Sequence, residues 1–209
     1  MKKCYLLLSI PMLMLSCTND FDESTPKQEE QANVISKKTT NSVSINLNNI
    51  VTELVTTYKV VYGTNSNNTL SQKIALLQKV SNENTNFVEI RPADFNLPSE
   101  DEAKKFIVNY DVEYNKLNIS TKVKTYFNTI LETGNDNVWS DLLSTVAADD
   151  ELSINEKNLL NFTLNSFNND PYKNGDPDWK KRMIVAGTLG FEKSSANAVF
   201  NVAIVEINN

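Results

Sequence analysis

The chain has 209 residues and a formal net charge of −6, long enough for one core of ordinary size. The acidic balance argues against nucleic acid and against docking on anionic headgroups through a basic patch, since basic residues cluster tightly only at Lys180-Lys181-Arg182. There is no histidine, which removes the Ser-His-Asp and Cys-His arrangements, His-ligated zinc and the commonest general base near neutral pH.

Lys2 and Lys3 followed by the apolar run 5–15, broken by Ser9 and Pro11, have the form of a secretory signal. The run is shorter than the roughly 20 residues a helix needs to cross a bilayer. It ends at Met14-Leu15-Ser16-Cys17, which resembles the lipobox of bacterial lipoproteins, with Leu15 where a small residue is usual. The resemblance covers about the first 23 residues and implies cleavage before Cys17 and its lipidation by a diacylglycerol and an N-acyl chain. Each buried methylene contributes about 0.8 kcal/mol, so several chains together anchor the protein to the bilayer effectively permanently. Thr18, standing where Asp would signal retention, implies the outer membrane of a Gram-negative cell by the same resemblance. Asp20, Asp22 and Glu23 fit either an acidic export tag for the outer face or an ordinary solvated tether. Cys4 leaves with the signal, so the mature chain holds Cys17 alone and no intramolecular disulfide. Loss of Lys2 and Lys3 takes the net charge from −6 to −8.

Residues 17–42 read as a flexible, lipidated tether. They are polar, have no repeating apolar face, and contain Pro26 as a helix breaker. A coil of about 25 residues has a root-mean-square span of roughly 25–30 Å, which would hold the domain 43–209 beyond the lipid surface.

Helical periodicity starts with Leu47, Ile50, Val51, Leu54, Val55, Tyr58, Val61 and Tyr62, and Gly63 is placed to stop that helix. A second helix follows Thr69, with Leu70, Ile74, Leu77 and Val80 inward. Residues 83–98 lack periodicity, with 87–90 readable as a short extended piece between irregular stretches around Pro92 and Pro98. Ser99 and Glu102 form a capping box for the next helix, which buries Ala103, Phe106, Ile107 and Tyr110 and extends toward Tyr114 and Leu117. Ser120 caps another, ended by Gly134, and Asp136 or Asn137 opens the one that carries Trp139. Ser153 and Glu156 repeat the capping box before Leu159, Leu160, Leu164 and Phe167. After a turn-rich loop, Asp178 caps a helix through Leu189, and the last segment, 196–207, has helical spacing, although Val202, Ile204 and Val205 would also suit a strand. The fold expected is all-α, a single bundle of about seven or eight short helices.

Candidate sites are few. Asp170, Asn174, Asp176 and Asp178 are oxygen donors around a Gly turn and form a weak calcium candidate, but counting from Asp170 an EF-hand would need donors where Tyr172 and Lys181 stand. Asp149-Asp150-Glu151 offers carboxylates for glycoside hydrolysis, yet no second carboxylate at a defined separation is indicated. Trp139 and Trp179 are able to stack on sugars but fall on apolar helix faces. Residues 183–207 form the most apolar stretch, expected as a buried hairpin. No cofactor is indicated. The function expected is that of a membrane-anchored envelope lipoprotein that binds another envelope or extracellular protein without catalysis. The alternatives are a membrane-active effector or self-protection protein acting through 183–207, and a carboxylate-dependent hydrolase.

Overall fold

Apolar residues three and four apart draw this chain into helices, and capping residues ahead of them set where each begins. The computed structural model describes residues 46–64, 67–133, 138–168 (without the side chain of Asn168) and 176–209. They lie within one compact unit, Val43–Asn209. Among the described residues all regular structure is helical, in ten helices: α1 (Leu47–Tyr62), α2 (Leu70–Glu83), α3 (Thr85–Ile90), α4 (Glu100–Ile107), α5 (Tyr110–Lys116), α6 (Thr121–Glu132), α7 (Val138–Ala148), α8 (Ile154–Asn168), α9 (Pro177–Phe191) and α10 (Ser195–Asn208). The all-α bundle expected from the sequence is the architecture the chain adopts.

The count exceeds seven or eight for two reasons. Residues 85–90 are a helix, not an extended piece: Asn84 accepts from the Phe87 N–H at 2.7 Å and starts a turn too short to display a period. The segment after Ser99 is two helices, because Val108 and Asn109 both donate their backbone N–H to the Lys104 carbonyl at 2.9 Å and close α4 before α5 begins. Other boundaries follow the expected caps. Ser99 accepts from Glu102 N while Glu102 accepts from Ser99 N, and Ser153 and Glu156 do the same. Gly63, at φ 80°, ends α1 in a backbone conformation that other residues rarely adopt. α6 ends at Glu132 with Thr133 as its C-cap; Gly134, Asp136 and Asn137 lie outside the described residues. The cap of α9 is Asp176 rather than Asp178, because Pro177 lacks an N–H and fits the first helical position, which moves the cap in front of it.

The hairpin α9–α10 is the centre of the bundle. Every residue from 196 to 205 is buried, and α10 packs against α9, α1, α2, α3 and α4. A helix buried on all sides has no polar stripe, which is why this segment carried a strand-like reading as well. Full burial of side chains such as Phe200 and Ile204 contributes about 1.5–3 kcal/mol each. The hairpin closes tightly at Gly190, where an added Cβ would lie 2.3 Å from the Ala198 Cα. At the other end of α9, buried Lys180 donates to the carbonyls of Ile130 (3.3 Å) and Thr133 (2.5 Å) at the C-terminal end of α6. Its ammonium also lies 5.1 Å from the Trp139 ring centroid.

Candidate functional site

Cys17 lies outside the described residues, as do Asp170 and Asn174 of the calcium candidate. The other two members of that candidate are exposed at the start of α9. Asp176 Oδ1 accepts from the N–H groups of Asp178 (2.9 Å) and Trp179 (3.2 Å), so this carboxylate acts as a helix cap. No group of three or more His, Cys, Asp or Glu among the described residues converges in a way that would hold a metal ion.

Of the acidic run at 149–151, Asp149 and Glu151 are ion-paired. Tyr126 donates its hydroxyl to Asp149 Oδ2 at 2.7 Å, and the Lys122 ammonium reaches Asp149 at 3.1 Å and Glu151 at 2.8 Å. The Tyr126 hydroxyl, then Lys122, hold the Asp149 carboxyl below its ordinary range, while the two carboxylates raise Lys122. A general acid in glycoside hydrolysis needs the opposite shift. The cluster instead ties α6 to the turn between α7 and α8. Glu156 is lowered in the same way, first by the Ser120 hydroxyl and then by Ser153. Glu102 falls to about 2 because Lys193 bonds to it at 2.7 Å and the Ser99 N–H supports it, which fastens the start of α4 to the α9–α10 turn.

Both tryptophans are 1% exposed and offer no face to a sugar. They flank Phe167, whose ring centroid is 5.6 Å from that of Trp139 and 5.4 Å from that of Trp179, and the Trp179 indole donates to Glu206 at 3.1 Å. In residues 183–207 the apolar side chains of α9 and α10 are turned into the core.

Two surface hollows are built from residues that sequence reasoning did not bring together. One, of about 170 Å³, runs beside α1 and is lined by Thr52, Thr56, Lys59, Ser166, Met183 and Glu206. The other, of about 330 Å³, lies between α2 and the connection from α3 to α4; Gln78, Asn82, Val88, Arg91, Phe95 and Leu97 line it. The connection is held at several points. Phe95 N donates to the Pro92 carbonyl at 3.1 Å, Asn197 of α10 donates to the Asn96 carbonyl at 2.9 Å, and Phe95 packs edge-on against Phe87 and Phe200 at 5.5 and 6.0 Å. Arg91 Nη1 donates to Asn82 Oδ1 at 2.6 Å, which links the two walls. The sequence signal was one of only two arginines in the chain, beside Pro92, inside a stretch without period.

Comparison with protein-family models, curated proteins and solved structures gives no match.

Proposed function

We propose that this protein is a bacterial outer-membrane lipoprotein whose helical domain binds another envelope or extracellular protein without catalysing a reaction. The observation that carries the reading is Met14-Leu15-Ser16-Cys17 behind a basic and apolar leader, with Cys17 the only cysteine after it. Acyl chains on that residue would hold the chain at a bilayer that no helix among the described residues is long and apolar enough to cross. The non-catalytic half of the proposal rests on the titratable groups. The chain has no histidine, and Glu102, Asp149 and Glu156 are all stabilised as anions, unsuited to proton transfer near neutral pH.

Metabolic labelling with a palmitate analogue tests the anchor. Wild-type protein should carry the label in the outer-membrane fraction, and Cys17→Ser should lose both label and membrane association. Labelling unchanged in Cys17→Ser would overturn the proposal.

A further inference from the structure

The hollow between α2 and the α3–α4 connection has the features of a binding site, and they point to one ligand chemistry. Arg91 is the only charged residue among those that line it. A guanidinium keeps its charge at every accessible pH and presents five N–H donors in a planar fork suited to a carboxylate. One of those donors is committed to Asn82 Oδ1, an uncharged acceptor that orients the fork without neutralising it. Arg91 takes part in none of the ion pairs among the described residues, although Glu89 and Asp94 stand two and three positions away in an acidic chain. The other arginine is engaged differently, with its guanidinium 4.8 Å from the Tyr110 ring centroid and bonded to Asn209 at 3.1 Å.

The remaining walls divide by polarity. Asn82 places its side-chain amide beside the guanidinium and Gln78 also lines the hollow, while Val88, Pro92, Phe95 and Leu97 supply the smaller, apolar wall of a mainly polar lining. Val88 is 42% exposed, which leaves its side chain open to a ligand in the hollow. Phe95 is fixed from behind by Phe87 and Phe200, so the apolar wall is preformed. A volume of about 330 Å³ accommodates a group the size of one or two amino-acid residues. A phosphate dianion fits less well, because a single cation faces it and the protein's net charge of −6 opposes a second negative charge. An inorganic anion would also leave the apolar wall uncovered.

We propose that this hollow binds a monocarboxylate bearing an apolar group, with the carboxylate on the Arg91 fork and the apolar group against Val88, Phe95 and Leu97. The site deepens the binding reading above and rests on it for its physiological meaning. Two sources supply such a ligand: the last residue of a polypeptide, and a free apolar acid.

The test is a titration of the full mature chain in detergent, followed by ligand-observed NMR. The probes are N-acetyl-leucine, N-acetyl-leucinamide, and a hexapeptide ending in leucine with a free or an amidated end. Hydrogen bonds to a charged group should make each free carboxylate bind roughly ten- to a hundredfold tighter than its amide. Arg91→Gln should abolish that preference with an unchanged circular dichroism spectrum. Val88→Glu, at an exposed position, should weaken acids and amides alike by removing an apolar contact, and weaken the acids further because its carboxylate repels theirs. A hexapeptide that binds better than N-acetyl-leucine assigns the site to polypeptide ends, and equal affinities assign it to free acids; either outcome supports the site. Acid and amide binding alike, no binding of either, or a preference that survives Arg91→Gln would overturn it. The titration does not depend on acylation, so its failure is distinct from a failure of the labelling test.

Discussion

Two glycines of α9 make opposite predictions three residues apart. Building a Cβ on Gly190 places it 2.3 Å from the Ala198 Cα, 2.4 Å from the Ala198 nitrogen and 2.8 Å from the Asn197 carbonyl carbon. All three are backbone atoms of α10, so no side chain can rotate away. Restoring ordinary carbon contacts of about 3.5–4.0 Å requires the two helices to separate by more than about 1 Å. That shift would disturb the packing around Phe200, Ile204 and their neighbours, which are fully buried. Overpacking of a tight core costs about 1–3 kcal/mol and sometimes more, against which alanine returns up to about 1 kcal/mol of helix propensity. Backbone-to-backbone overlap lies at the severe end, so Gly190→Ala should destabilise by about 2 kcal/mol or more. For Gly187 the nearest atoms to an added Cβ are Phe162 Cε1 at 3.6 Å, Phe162 Cδ1 at 3.8 Å and Thr163 Oγ1 at 3.9 Å, which are ordinary contacts. Gly187→Ala should therefore stabilise by about 0.5–1 kcal/mol. Urea unfolding followed by circular dichroism measures both, and the midpoints should move in opposite directions. A Gly190→Ala midpoint at or above that of the wild type would refute the close approach of α9 and α10.

Lys180→Met keeps the length of the side chain but removes the donors to the Ile130 and Thr133 carbonyls. Losing these hydrogen bonds from a charged donor should lower stability by about 2–3 kcal/mol in the same unfolding assay. The acid limb of stability should depend on Glu102, whose carboxyl is lowered from 4.5 to about 2 in the folded protein. A lowered folded value gives stability that is full above the unfolded value and fades as pH falls from about 4.5 toward 2. Because the Glu102 and Lys193 side chains are 40% and 50% exposed, solvent screening keeps the effect small. Glu102→Gln should flatten the fall of the unfolding midpoint across that window, and 1 M salt should flatten it in the wild type.

What the sequence could reveal depended on how each element meets water. α1, α4 and α6 each turn one face to solvent, so Leu54, Phe106 and Phe127 stood out at helical spacing, and Ser99 and Ser120 marked their starts. α10 has no solvent face, so a local pattern did not separate helix from strand. α3 and α5, of six and seven residues, span too few turns to show a period. Capping is decided by the next residue as much as by the cap, which is how Pro177 moved the start of α9 to Asp176. The hollow around Arg91 joins Gln78 and Asn82 of α2 to a nonperiodic connection, and that proximity follows from the packing of Phe87 and Phe95 onto Phe200, which no spacing in the sequence records. Asp149, in the turn after α7, shows the same limit, since its partners Tyr126 and Lys122 come from α6.

The most direct test of the anchor is mass spectrometry of the N-terminal peptide taken from the membrane fraction. The account predicts a peptide that begins at Cys17 and carries the added mass of a diacylglycerol and an N-acyl chain. An unmodified peptide containing Cys17, or a mature chain that begins at any other residue, would contradict it.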